Sequence, residues 1–335
     1  MKTNQFFYHL PKQLVAQYPL ERGKERLLVV ERDTGKIHHG QFAELLSYLQ
    51  RGDVLVMNDT KVIPARLIGR KETGGVVEVL LIRQMGGSRW QCLVSASKPA
   101  KTGVVITFSD NLEARVEKRE GNDYLLNFSD AQRVLKTGKV PLPPYIDREP
   151  EDLDLSAYQT VYARNEGSVA SPTAGLHFTR DMLGRIESLG ITIIYLTLHV
   201  GPGTFTPVRT EFVEEHTMHA EEFTLSEPSA RAIHEAMRKG KRIVAVGTTS
   251  TRVLEHMMRL HGKIIPGRGY TDLFIYNGFD FKVIGALLTN FHLPCSTLLM
   301  LVSSFGGHDH IMNAYREAVE RKYRFFSYGD AMLII

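Results

Sequence analysis

His177 stands inside a run of small and hydroxyl-bearing residues, from Gly167 through Ser168, Ser171, Thr173 and Gly175 to Phe178 and Thr179. Small residues let a backbone come close to a ligand, and the free N–H groups of a helix start favour a carboxylate or phosphate. An imidazole in such a loop can exchange a proton near neutral pH. A second cluster, His199-Val200-Gly201-Pro202-Gly203-Thr204-Phe205, ends an apolar run, the place where open α/β sheets bind ligands. A third, Gly247-Thr248-Thr249-Ser250-Thr251-Arg252, has the layout of a phosphate or ribose cradle but lacks the Gly-Lys-Ser/Thr ending of a P-loop. Asn290 and His292 interrupt the most apolar stretch of the chain, 283–302, and need partners or a ligand if buried. Tyr328-Gly329-Asp330 precedes an apolar C-terminal run. His216, His219 and Glu221 are metal-ligand types without a further fixed ligand, so no metal is expected. Each cluster alone also reads as a plain helix start, glycine turn, N-cap or satisfied core pair. Five of them on one set of apolar runs point to a ligand cleft for a small anionic or nucleoside-like molecule.

The elements that must hold these clusters change texture twice. Before Lys61, Phe42, Leu45, Leu46 and Leu49 share a helical face, and Val54–Met57 reads as a buried strand. From Lys61 to about residue 140 short Val-, Ile- and aromatic-rich runs alternate with glycine and Asp-Asn turns, as in a small barrel or sandwich. Pro141-Leu142-Pro143-Pro144 reads as a rigid exit. Helix and strand signals then alternate: Thr179 caps one predicted helix, Ser226 another, and two more are expected near 251–260 and 309–322. The fold class expected is α/β, with residues 1–60 and 145–335 forming one discontinuous domain and 61–144 an inserted β-barrel.

With 43% hydrophobic and 23% charged residues, the 335-residue chain is neither disordered nor fibrous. Its two cysteines make no disulfide framework, and residues 1–10 carry no apolar signal core, so a reducing, cytoplasmic setting and no membrane are expected. A net charge of +4 permits a nucleic-acid partner without demanding one.

At these loops the chain resembles the S-adenosylmethionine:tRNA ribosyltransferase-isomerases of queuosine synthesis. The matching stretches include Asn58-Asp59-Thr60-Lys61-Val62-Ile63-Pro64-Ala65-Arg66-Leu67, Pro141–Ile146, Tyr158–Ala163, Ser168–Thr179, Thr197–Gly201, Met218–Glu221, Gly247–Arg252, Thr289–Pro294 and Tyr323–Ile335. They run in order along the whole chain. Departures are small: Ser171, Pro202, Asn277 and Cys295 are unusual for the pattern, Tyr270 stands where Trp is frequent, and Glu222 where an aromatic is usual.

The resemblance implies that S-adenosylmethionine is consumed as a co-substrate, with no other cofactor. Its ribosyl part passes to the aminomethyl group of a 7-deazaguanine at the tRNA wobble position, giving epoxyqueuosine-tRNA, adenine and methionine. The implied route removes a 5′ proton beside the sulfonium, expels adenine, and closes an epoxycyclopentanediol as methionine leaves. Such a route needs a base, an acid for adenine, an anion site for the methionine carboxylate and cations for the anticodon arm. The candidates for proton transfer are His177, His199, His219, His292 and Asp59, with His177 expected first. Substrate contacts are expected from Arg66, Ser168, Thr173, Gly175, Phe178, Gly201, Gly203, Thr204, Glu221, Gly247, Thr248, Thr249, Arg252, Asn290, Tyr328 and Asp330. Lys61, Arg70, Lys71, Arg321, Lys322 and Arg324 are the expected tRNA contacts, and a monomer is the expected state. The rival readings are a non-catalytic tRNA-binding protein and a nucleoside-directed transferase or hydrolase that needs no RNA.

Overall fold

The computed structural model describes residues 1–205 and 207–335, the side chains of Thr204 and Phe205 excepted. Strands β1 (Arg26–Val30) and β2 (Ile37–Gln41) form a hairpin. The helix expected after it is shorter than its apolar spacing implies: a 3-10 turn over Phe42–Glu44, then one α turn, α1 (Leu45–Tyr48). β3 (Val54–Asn58) is buried along its whole length. β4 (Thr60–Val62) leads into β5 (Arg66–Lys71), β6 (Val76–Gly86), β7 (Arg89–Ala96), β8 (Val105–Thr107), β9 (Glu113–Glu120) and β10 (Asp123–Phe128). Strands β5 to β10 close a six-stranded barrel in the order β10-β7-β6-β5-β8-β9. Its inward side chains come at every second position, such as Val77, Val79 and Leu81, and pack with Cys92, Ala114 and Leu126. Gly69 has no room for a side chain, since a Cβ would lie 2.8 Å from both Ile106 and Phe108.

After α2 (Ala131–Thr137) and α3 (Asp154–Ala157), β11 (Asn165–Ser168) pairs with β4 in parallel. Then follow α4 (Arg180–Ser188), β12 (Thr192–Leu198), β13 (Glu221–Leu225), α5 (Glu227–Arg238), β14 (Ile243–Val246), α6 (Gly247–His261), β15 (Gly267–Thr271), β16 (Ala286–Asn290), α7 (Thr297–Gly306), α8 (His308–Glu320) and β17 (Ala331–Ile334). Nine strands make one mixed sheet in the order β15-β13-β12-β3-β14-β16-β17-β1-β2. β12, β3, β14 and β16 are mutually parallel; β17 runs against β16 but parallel to β1, and β13 runs against both its neighbours. Alternate residues feed two cores. Val54, Val56, Ala245 and Leu287 pack under α5–α8, while Leu55, Met57, Val244 and Leu288 pack under α4 and Phe42. That double cover explains why the central strands read as unbroken apolar runs.

Three differences from the sequence reading have physical causes. The cluster 247–252 is the first turn and a half of α6, because its hydroxyls bond back into the helix: Ser250 Oγ donates to Val246 O at 2.9 Å and Thr251 Oγ1 to Gly247 O at 3.2 Å. α7 was hidden because it is buried nearly all round and shows no polar face. β13 and β15 form an antiparallel edge whose glycines and charges mask its β character. Among the described residues no helix is long and apolar enough to cross a membrane.

Candidate active-site cleft

Parallel strands β14 and β16 end side by side, at Val246 and Asn290. Beyond those ends lies a cleft bordered by the segment 170–174, by Val200 after β12, and by Tyr145, Phe326 and Ser327. Its lining contains no carboxylate, lysine or arginine among the described residues. Three buried side-chain oxygens there have no hydrogen-bond partner: Ser171 Oγ, Thr249 Oγ1 and Asn290 Oδ1. They belong to residues only 4%, 9% and 2% exposed. A buried oxygen without a partner is costly, so three in one cleft mark a surface built for a polar ligand.

The backbone adds polarity. α6 begins at Gly247, whose φ of +85° suits glycine, and the preceding Val246 offers no side-chain cap. The first-turn N–H groups of a fifteen-residue helix are therefore left for the cleft, at the positive end of its dipole. Asn290 is held by its amide, Nδ2 donating to Phe326 O at 3.0 Å, which leaves its oxygen free.

The histidines expected to move protons scatter. His292 lines the cleft, but Thr289 Oγ1 and Tyr315 OH each lie 3.2 Å from its ring nitrogens, and burial pulls its pKa down to about 3. The ring is neutral near pH 7 and a feeble base. His177 is not in the cleft. It is 1% exposed, rests against Phe42 at 5.0 Å between centroids, and has neither ring nitrogen hydrogen-bonded; its Nδ1 lies 3.5 Å from Glu25 Oε1. With Arg22, Glu25, Ser327 and Tyr328 it lines a separate pocket. His199 sits half-buried at the end of β12, its Nδ1 2.8 Å from Thr60 Oγ1, with its pKa lowered by burial. Asp59 is buried nearby, accepting from Thr197 Oγ1 at 2.6 Å and Asn165 Nδ2 at 3.1 Å. His219 is exposed, beside Gly203.

Of the expected substrate contacts, Thr173, Gly247, Thr248, Thr249 and Asn290 meet in the cleft. Arg252 does not: its guanidinium is ion-paired with Glu221 and donates to Leu273 O and Thr271 O, tying α6 to the sheet edge. Glu221 also accepts from Gly201 N at 2.9 Å. Ser168 Oγ bridges Ala170 O and Val200 N, and Phe178 is core. Gly175 is a packing glycine, since a Cβ would fall 2.0 Å from Tyr162 OH. Tyr328 donates to Asp154, and Asp330 accepts from Arg26 and Arg324 backbone N–H groups. Arg66 bridges Glu78 and Glu149 across the barrel junction. The side chain of Thr204 lies outside the described residues.

The expected tRNA cations are largely engaged within the protein. Lys61 pairs with Glu166 and Arg321 with Glu317; Arg70 and Lys71 donate to the carbonyls of Gly74 and Lys98. Arg324 is tied to Tyr18 O, while Lys322 is exposed at a positive φ after α8. Sequence reasoning gave no role to Tyr145, Ser327 or Ser171. Tyr145 follows the proline run and hydrogen-bonds Ser327 at 2.6 Å, a contact between residues 182 apart that no local pattern signals. Among the described residues no group of three His, Cys, Asp or Glu side chains is arranged to hold a metal.

A family model described as queuosine biosynthesis protein matches residues 3–334. The S-adenosylmethionine:tRNA ribosyltransferase-isomerase of Caldanaerobacter subterraneus subsp. tengcongensis is 49% identical over 343 aligned positions that cover all of both chains. Its namesake from Pelobacter propionicus is 48% identical, again over the whole of both. Among solved structures, the S-adenosylmethionine tRNA ribosyltransferase of Thermotoga maritima is 38% identical, with a TM-score of 0.58, and the match covers 99% of this chain and 100% of that one.

Proposed function

The chain belongs to the queuosine biosynthesis protein family, and from that premise we propose that it is an S-adenosylmethionine:tRNA ribosyltransferase-isomerase acting on the wobble 7-aminomethyl-7-deazaguanine. The observation that carries the placement of S-adenosylmethionine is the uncharged cleft with its three partnerless oxygens at the start of α6. In this reading the first-turn N–H groups receive the methionine carboxylate. Ser171, Thr249 and Asn290 bind the ribose hydroxyls and the adenine edge, and Tyr145, Phe291 and Phe326 exclude water.

Proton removal from the 5′ carbon falls to His199. Its Nδ1 is fixed by Thr60, and burial lowers its pKa, which keeps the ring in the neutral form a base requires. Asp59, anchored by Thr197 and Asn165, supplies negative charge behind the imidazolium that forms. His292 orients rather than titrates. Adenine leaves, the aminomethyl nitrogen attacks, and methionine departs as the epoxide closes. We place the reaction in the cytoplasm with a monomeric enzyme, and read the domain boundaries as 1–60 with 145–335 around 61–144.

The test is incubation with S-adenosylmethionine and tRNA carrying the aminomethyl precursor base. Release of adenine and methionine with a matching mass gain on the tRNA is expected. Adenine release without RNA would make the protein a nucleosidase, and tight RNA binding without turnover a binding module. His199→Gln should lower single-turnover adenine release at least about a hundredfold; near-normal release would remove His199 from the role.

A further inference from the structure

Beyond His199, the outer face of the sheet's antiparallel edge carries a stripe of rings and guanidinium groups that the proposed reaction does not use. Register fixes its membership. His199 of the segment after β12 donates its backbone N–H to Glu222 O at 2.9 Å, and Glu222 on β13 is paired with Tyr270 on β15, so these side chains share one face. The opposite face, with Leu198, Phe223 and Leu225, is core. Tyr270 is 47% exposed. Arg83 reaches it from barrel strand β6, its guanidinium 5.6 Å from the ring centroid, and Arg268 of β15 is ion-paired with Glu222. Two residues back along β12 from Thr197, the Tyr195 ring is covered by Arg164 at 4.9 Å. Arg83 and Arg164 are exposed, and neither forms an ion pair among the described residues.

We propose that this stripe is a single-stranded RNA platform: Tyr270 stacks a nucleobase beside the wobble position, and Arg83 and Arg164 meet the flanking phosphates. This rests on the tRNA-modifying reading above. The chemistry matches the partner. A sequence-tolerant RNA contact combines a solvent-facing ring on a sheet with cations that track the backbone. Lys61, Arg66 and Arg70 are engaged with carboxylates or carbonyls, whereas the guanidinium groups of Arg83 and Arg164 lie against rings and form no ion pair among the described residues. The stripe ends at His199, next in sequence to Val200 of the cleft, so a loop lying along it would deliver the adjacent base to the site. It also crosses from barrel to sheet edge, which gives the inserted barrel a part in substrate recognition.

The probe is an anticodon stem-loop RNA carrying the aminomethyl precursor base, titrated into the full chain at several salt concentrations. Tyr270→Ala should weaken binding about tenfold, within the range for losing one stacked base, and Tyr270→Trp should restore it. Arg83→Ala and Arg164→Ala should each lower the slope of log affinity against log salt by roughly 0.7 to 0.9. S-adenosylmethionine affinity measured without RNA should stay the same in all four variants. Arg83 and Arg164 are exposed and hold no ion pair among the described residues, and Tyr270→Trp keeps a ring in place, so folding does not confound the comparison. RNA affinity within twofold of the unaltered protein in Tyr270→Ala, with unchanged salt slopes for both arginine variants, overturns the platform even if the unaltered protein turns over. Tyr270-dependent RNA binding by a protein that never releases adenine upholds the platform and overturns the catalytic reading.

Discussion

Residues 170–174 face a cleft whose lining holds no carboxylate, lysine or arginine among the described residues, whereas Leu176 and His177 of the same segment face a second pocket lined by Arg22 and Glu25. Ser327 borders both. The cleft keeps neutral oxygens without partners and a helix start without a cap. The second pocket also holds partnerless polar atoms, both ring nitrogens of His177 and Arg22 Nη1, but its Tyr328 reaches out to a satisfied ionic network. Asp154, 1% exposed, takes Arg148 at 2.7 and 2.8 Å, Tyr328 OH at 2.6 Å and Glu151 N at 2.8 Å. Partnerless neutral oxygens beside an uncapped helix start mark the ligand surface, whereas the Asp154 network, with its polarity met, marks where the chain holds itself together.

The comparison can be broken most forcefully at Asp154. Asp154→Ala leaves the largely buried Arg148 guanidinium with only the carbonyls of Gln17 and Glu149 and the more distant Glu151, and should cost about 3–5 kcal/mol in chemical denaturation. A cost below about 1 kcal/mol would mean the network braces nothing. Next in size is a pH effect from the cleft. The folded-state pKa of His292 lies near 3, below the ordinary histidine value, so its contribution is complete above about pH 6.5 and is lost as pH falls toward 3. Stability should therefore decline on acidification by up to about 1.4 kcal/mol per pH unit from this group, and His292→Gln should flatten the decline. An identical pH profile in that variant would show that His292 titrates normally.

Thr249→Val sharpens the contrast through opposite signs. It removes a buried hydroxyl with no protein partner, so stability should hold or rise, while kcat/KM for S-adenosylmethionine falls about tenfold. Unchanged kcat/KM would take the ligand out of the cleft. The smallest effect is expected for His177→Phe, whose ring can keep the packing on Phe42. Turnover should stay within a few-fold, and a hundredfold loss would join the two pockets in one mechanism.

Much of the fold was legible in the sequence because its signals are local. Val54–Asn58 and Ile243–Val246 are apolar without interruption, Thr179 and Ser226 cap the helices that follow them, and alternation with glycine turns marks the barrel. The site was legible as a set of loops but not as roles. Loop composition places 170–174, 247–249 and 289–293 near a ligand, yet nothing in it says that His177 turns away or that Glu221 already occupies Arg252. Those outcomes depend on partners 31 to 152 residues distant, which spacing along the chain does not encode. Tyr145 and Ser327 escaped for the same reason.

The central place of β17 sets an order of assembly. Leu27–Val30 pair with Ala331–Ile334, and β17 is all that joins the β1–β2 hairpin to β16 and the rest of the sheet. During synthesis the hairpin must wait until residue 331 has emerged from the ribosome, while the barrel strands, contiguous from 66 to 128, can close long before. The nascent protein therefore carries a finished barrel tethered to an open sheet, with the apolar edges of β1 and β16 unpaired. That interval is when the chain's strand edges are most open to pairing with another chain.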